Sequence, residues 1–338
     1  MFVFDAAGEP LLAAILAGPE GQAGDGFGFA VAINSLGTIV VGAPNSGEAA
    51  GLAYVFDPPA GGWMLLARDG ATLAHKLDTD ATILKGSGEA NAYFGSALAA
   101  WTADGTVPLV TVGEPGDVNG GTAYAFESVA GGGWTRFASF NSPDGGADGD
   151  GFGSAMAGVG TTLVVGAPTF GVGAAWVYDQ SILNFTPLIP LGSTYGFGQS
   201  VTISADGNTV AVGAPNIDNP AVFGFVRSVS GWGQQGVATP SPSAQASSEW
   251  GSKVVCGLGA SILIADPGKS TAADYALGAI SYAPQLIGTL SLPFVLIGES
   301  DNGMLGYGLT SGNAIAAAGG PGFNGYEGEV VYALYEAH

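Results

Sequence analysis

One unit recurs six times along this chain, and a recurring unit restricts the fold more than any other feature. Each copy opens on an aromatic-Gly pair: Phe27-Gly28, Phe94-Gly95, Phe152-Gly153, Phe197-Gly198, Trp250-Gly251 and Tyr307-Gly308. A β-branched run follows and ends on a turn, read as Gly42-Ala43-Pro44, Gly113-Glu114-Pro115, Gly166-Ala167-Pro168, Gly213-Ala214-Pro215, Ala265-Asp266-Pro267 and Gly319-Gly320-Pro321. An alternating aromatic run comes next, as in Tyr54-Val55-Phe56, Tyr124-Ala125-Phe126, Trp176-Val177-Tyr178 and Phe223-Gly224-Phe225.

Each unit reads as four short strands, A to D. Strand B, as in Thr38 to Val41 or Thr162 to Val165, is apolar throughout, the pattern of a strand covered on both faces. Strand C alternates and sets its aromatics on one side. Strand D is weaker, with Trp63 to Leu66 and Trp134 to Phe137 as examples. Proline after strand B ends the ladder because it has no N–H to give. Such a sheet cannot cover both of its faces alone, so its neighbours must, and stacking of this kind builds an all-β propeller of four-stranded antiparallel blades. Counting from Tyr307 through the C-terminus and on from Met1 to Phe27 gives one more unit's length, so six blades are preferred, with seven the alternative. The expectation is one domain over residues 1–338, with units starting near 27, 94, 152, 197, 250 and 307. Residues 1–26 complete the last blade, and Leu11 to Leu16 closes it by pairing of N- and C-terminal strands. Met1 to Asp5 is a surplus strand.

The run Phe197 to Pro215, followed by Phe152 to Pro168 and Phe27 to Pro44, resembles the FG-GAP repeat family, known best from the N-terminal propellers of integrin alpha subunits. The resemblance implies a propeller and a binding or adhesion role. The family's calcium site in the A–B hairpin is missing its carboxylates here. The hairpins offer at most one acid each, and Asp104 and Asp206 are read as turn formers.

The 28 acidic residues face only 7 basic ones, a net charge of -21. Without clustered Lys or Arg there is no means of neutralising nucleic-acid phosphates, so nucleic acid is excluded as a partner. Membrane insertion is excluded too, for want of about 18 consecutive apolar residues. In propellers of the resembling kind, the B–C and D–A loops share one face. Assigned so, that face takes Asp25, Glu48, Glu89, Asp117, Asp144, Asp148, Asp150, Asp218, Glu249, Asp301 and Glu327, among others. A field of one sign attracts cations, basic segments and polyhydroxylated ligands. Asp144, Asp148 and Asp150 crowd a Gly-rich loop and form the candidate calcium site, with Glu114 to Asn119 a second candidate.

Catalytic signals are thin. His75 and His338 are the only imidazoles, there is no nucleophile elbow or phosphate loop, and Cys256 lies in an apolar strand that suits a buried, inert thiol. The reading is a non-enzymatic extracellular or cell-surface module that binds a protein or glycan. The alternatives are a structural subunit that self-associates by strand addition, and a carbohydrate-active lyase or hydrolase.

Overall fold

The computed structural model describes residues 2–4, 10–12, 14–59, 75–77, 81–143, 145–179, 184–192, 195–216, 219–241, 247, 249–257, 260–270, 277–292, 294–298, 304–311, 315–320 and 329–334. The chain divides into two compact units, 1–149 and 150–338, with the boundary between the second and third repeats.

In the first unit, repeat 1 forms a sheet of Val31–Ile33, Ile39–Ala43, Leu52–Phe56 and Thr82–Leu84, in that order. Repeat 2 forms one of Ala97–Ala103, Val107–Glu114, Thr122–Ser128 and Trp134–Asn141. Within each sheet every pairing is antiparallel. The place of strand D in repeat 1 is held by Thr82–Leu84, while the expected Trp63 to Leu66 lies outside the described residues. The second unit repeats the order A-B-C-D. Repeat 3 uses Ala155–Val159, Thr162–Ala167, Ala174–Asp179 and Asn184–Pro187. Repeat 4 uses Ser200–Ile203, Thr209–Ala214, Ala221–Ser228 and Gly231–Pro240. Repeat 5 uses Lys253–Cys256, Ile262–Asp266, Ala279–Ala283 and Phe294–Ile297, and repeat 6 has three strands, Gly308–Ser311, Ile315–Gly320 and Glu329–Leu334.

Strand B is buried along its whole length in repeats 1 and 3, as its apolar sequence requires. The opening aromatic sits edge-on against the strand C aromatics of its own repeat. Phe94 meets Tyr124 at 5.7 Å and Phe126 at 6.4 Å, and Phe197 meets Phe223 and Phe225 at 5.6 and 6.1 Å. The same aromatic also packs against the preceding sheet: Phe94 shares one core cluster with Val40, Val55 and Leu84 of repeat 1. One ring therefore fastens two sheets, which is why the pair recurs. Its glycine has a left-handed φ of 93° at Gly95, and a Cβ on Gly42 of the preceding turn would fall on the carbonyl oxygen of Gly95. The two motif glycines are thus one contact seen from two sheets, repeated at Gly166 with Gly198 and at Gly213 with Gly251.

Three expectations need correction. In repeat 6 the pocket takes Leu305-Gly306 rather than Tyr307-Gly308. Leu305 is 1% exposed and bridges to Gly278 as Phe197 does to Gly173, Gly306 has φ 93°, and Tyr307 is 53% exposed. The pocket needs bulk ahead of a left-handed glycine, and Leu305 supplies it two residues earlier.

The N-terminal segment also pairs elsewhere. Pro10–Leu12 makes a hairpin with Phe2–Phe4, which accounts for the surplus strand, and Ala14–Leu16 runs parallel to His75–Leu77. The ladders of the described residues do not include the expected pairing of Leu11 to Leu16 with the last strand, because both halves of that segment find partners in their own unit. His75 accordingly opens a strand.

Last, repeat 4 gains a fifth strand. Gly288–Leu292, from the C–D connection of repeat 5, runs parallel to Gly231–Pro240. Gly236 leaves the room, since a Cβ there would fall on the backbone of Leu286.

Candidate ligand-binding loop row

The D–A and B–C loops of the first unit join into one continuous row. Asn45 donates its backbone N–H to the carbonyl of Asp25 at 3.0 Å and its side-chain amide to that of Gly24 at 3.3 Å. The next link runs from the 44–51 loop to the following repeat, with Asn91 N–H on the Glu48 carbonyl, Tyr93 on Ala49 and Phe94 on Ala50. Gly116 N–H then bonds the Ala92 carbonyl, and Gly120 lies against Gly146 and Ala147. The loops of this row carry Asp25, Glu48, Glu89, Asp117 and Asp148. In the second unit, Gly173 bridges to Phe197 and Gly278 to Leu305 in the same way. That unit carries Asp150 and Glu249. Asp144, Asp218, Asp301 and Glu327 lie outside the described residues.

The backbone is strained where repeats 1 and 2 meet. Gly47, Glu48 and Ala49 wind left-handed at φ 58°, 59° and 60°, and across the junction Asn91 and Tyr93 hold φ 61° and 58°. A non-glycine residue in this region costs about 1–2 kcal/mol, so four of them in one junction must be held by the surrounding bonds. Glu48 and Glu89 are exposed on it.

The acids of the row differ in what their carboxylates do. Asp117 is buried and spent on its own turn, accepting from Asn119 N–H and side-chain amide at 3.0 Å each and from Thr122 Oγ1 at 2.8 Å. Glu48, Glu89, Asp148 and Glu249 face solvent. Beneath them lie two more acids, Glu114, which opens the second candidate calcium run, and Asp266, expected only as a turn residue. Glu114 and Asp266 occupy the middle of the strand B turn in repeats 2 and 5, and both are 0% exposed. Glu114 accepts from Ser87 N–H at 3.0 Å and Ser87 Oγ at 2.9 Å, and the Tyr124 hydroxyl donates to it as well. Asp266 accepts from Ser247 N–H at 2.8 Å and from Ser247 Oγ. In both, the serine Oγ takes the N–H of the glutamate two residues on, Glu89 at 3.1 Å and Glu249 at 3.0 Å. A buried carboxylate, a serine and an exposed glutamate thus form one device used twice.

Burial pushes the Glu114 carboxyl above the usual carboxylate range, against the bonds from Tyr124 and Ser87 that pull it down. Asp266 is raised by burial in the same way, opposed by Ser247 and by Lys269. The turn alignment held the signal: alanine fills this position in three other repeats, and Ala43, Ala167 and Ala214 are all buried.

Acids at the other end of the sheets are partnered. Asp57 accepts from Thr38 Oγ1 and Trp134 Nε1, and Asp179 pairs with Arg227 at 3.0 Å. Asp104 and Gly105 take the left-handed turn at φ 51° and 73°, and Asp206 caps its hairpin through Ser204 and Asn208. Asp206 is held below the usual range, chiefly by the Ser204 hydroxyl. Among the described residues no three His, Cys, Asp or Glu side chains gather as a metal centre, and Asp144 of the candidate calcium loop is not among them. Nor is any helix among them long and apolar enough to cross a membrane. Cys256 is pushed up to about 12 by burial, which keeps it a thiol.

Residues 12–56 match the family described as FG-GAP repeat. Among solved structures, hydrazine synthase from Kuenenia stuttgartiensis superposes with a TM-score of 0.56 at 15% identity, covering 90% of this chain and 76% of that one. A structure described as the Dos1 propeller is similar with a TM-score of 0.49 at 12% identity, over 94% of this chain and 70% of that one. At 15% identity the likeness to hydrazine synthase is one of fold. No curated protein matches the chain. The repeated four-stranded sheets and the FG-GAP repeat define an all-β protein of the β-propeller class.

Proposed function

We propose that this chain is a non-enzymatic binding module of the extracellular space or cell surface, similar in role to the integrin alpha propellers, which takes a protein or glycan on its D–A and B–C loops. The reading counts six repeats as the blades of one propeller. The observation that carries it is the junction of repeats 1 and 2. There, strained loops locked to each other present Glu48 and Glu89 to solvent over the buried Glu114. Strain that persists beside exposed charge marks a surface shaped for contact. Both carboxylates are exposed, and they suit a basic segment or sugar hydroxyls. Calcium at Asp144, Asp148 and Asp150 belongs to the same reading.

The test is a glycan array together with capture from a panel of basic peptides and ectodomains, using the intact chain, Glu48→Gln/Glu89→Gln and Asp144→Ala/Asp148→Ala/Asp150→Ala, with and without calcium. Loss of a captured ligand by at least tenfold in the first double variant supports the reading. Capture that is equal in all three proteins removes the loop row from the account. Turnover of a polysaccharide by the intact chain would replace it with the enzymatic alternative.

A further inference from the structure

The loops that lead into repeats 1, 2 and 3 share a backbone course and differ in side chains. Repeat 1 reads Gly24-Asp25-Gly26-Phe27-Gly28, and repeat 3 reads Gly149-Asp150-Gly151-Phe152-Gly153. Gly24, Gly26, Gly149 and Gly151 are all left-handed, with φ of 98°, 74°, 89° and 71°. Repeat 2 keeps both left-handed places and fills them with Asn91, at φ 61°, and Tyr93, at φ 58°.

The turn opposite is altered to match. A Cβ on Gly26 would crowd the Asn45 amide, and one on Gly151 the Thr169 hydroxyl. Repeat 2 reverses the pair: the turn has Gly116, and the Tyr93 ring lies where a side chain on Gly116 would begin. Glycine takes this backbone freely and other residues are strained in it, so the exchange costs stability. Burial does not offset that cost, because Asn91 is exposed and Tyr93 is 40% exposed. Strained side chains kept at the surface point to a contact outside the fold.

We propose that Asn91 and Tyr93, together with Glu48 and Glu89, form a site for an uncharged sugar. The proposal rests on the loop row being a binding surface, and it names the ligand. Backbone bonds hold the four residues together, with Asn91 N–H on the Glu48 carbonyl at 3.2 Å and Ala92 N–H on the Glu89 carbonyl at 3.3 Å. Their chemistry selects the occupant. Tyr93 offers an apolar ring to the carbon face of a pyranose. The Asn91 amide donates and accepts while the two carboxylates accept, which suits hydroxyl groups that do both. Lysine and arginine side chains only donate, so a basic peptide would leave the donors of Asn91 without use. Acidic and sulfated sugars are repelled by the net charge of -21.

The experiment places the intact chain, Asn91→Gly, Tyr93→Gly and Glu48→Gln/Glu89→Gln on an array of neutral, acidic and sulfated glycans beside arginine-rich and lysine-rich peptides. Each glycine variant restores the residue that repeats 1 and 3 carry, so both are expected to stay folded, with an unchanged circular dichroism spectrum. The intact chain is expected to hold a neutral glycan, with affinity lowered about tenfold in Tyr93→Gly and about fivefold in Asn91→Gly. A ligand lost in Glu48→Gln/Glu89→Gln but held by both glycine variants overturns this inference and leaves the loop row in place. A ligand held equally by every variant removes both. Capture of peptides or charged glycans alone overturns the choice of a neutral sugar, as does an intact chain that holds no glycan. A glycine variant that loses its folded spectrum shows that the side chain serves the fold, and it overturns the proposal too.

Discussion

Repeats 1 and 2 share their aromatic skeleton and differ in how their loops are fastened. Phe27 packs on Tyr54 and Phe56, and Phe94 on Tyr124 and Phe126, with ring distances alike within a few tenths of an ångström. At the strand B turn, however, one has Ala43 and the other Glu114. In repeat 2 the tyrosine hydroxyl donates to that carboxylate, and the D–A loop is tied through Ser87. In repeat 1 the Tyr54 hydroxyl is buried without a hydrogen-bond partner among the described residues, and the loop is held by bonds with Asn45. The shared skeleton makes the sheet; a single residue in the turn decides whether the loop above it hangs on a buried carboxyl group or on its own backbone.

The largest separation between the two repeats lies in the opening aromatic. Phe94 is fully buried between two sheets, whereas Phe27 is only partly buried. Phe94→Ala is expected to cost about 3–5 kcal/mol in denaturant unfolding, and Phe27→Ala clearly less. Equal costs would mean that the ring does not fasten consecutive sheets. Next comes Glu114→Ala, which leaves Ser87 N–H, Ser87 Oγ and the Tyr124 hydroxyl without their acceptor and costs about 2–3 kcal/mol. It should also speed hydrogen exchange at Ser87 and Glu89 while sparing the loop at Asp25.

The tyrosines give a smaller and more pointed contrast. Tyr124→Phe removes a donor to a buried carboxylate and is expected to cost about 1–2 kcal/mol, whereas Tyr54→Phe removes a buried hydroxyl with no partner among the described residues and is expected to be neutral or stabilising. Thermal unfolding of the two single variants checks this. Equal losses would show that Tyr54 has a partner after all, such as a buried water.

What the sequence discloses follows from what repeats. The aromatic-Gly pair, the Gly-Ala-Pro turn and the alternating strand C recur because each serves the same contact in every sheet, so comparison of the chain with itself exposes them. Events that occur once leave no such trace. Gly288–Leu292 joins its neighbour's sheet through room left by Gly236, and a lone glycine within a strand does not announce which backbone will approach it. Leu305 replaces an aromatic in its pocket, and the nearby Tyr307-Gly308 offers a better match to the letters than to the geometry. Glu114 was visible as a departure from alanine. Its burial follows from the repeat, since the equivalent alanines are core residues. The grouping of acids came from the family resemblance, and no repeated pattern in the sequence announces the loop-to-loop hydrogen bonds that the first unit shows.

The smallest effect is the dependence on pH. An ordinary glutamate carboxyl titrates near 4.5, and burial raises Glu114 above that, so the folded state holds its proton more tightly than the unfolded chain does. Stability from such a group is fully present below the unfolded value and is lost as pH climbs through the folded one. Glu114→Gln keeps the shape of the side chain and removes the titration. The difference in unfolding free energy, wild type minus variant, should therefore fall as pH rises from about 4.5 toward neutrality and then level off. The same comparison at Asp266→Asn should give the same sign, with the Lys269 ammonium opposing the burial that raises it. A difference that instead grows with pH would mean that the bonds from Ser87 and Tyr124 outweigh burial, and that the anchor under Glu89 is held as a stable anion.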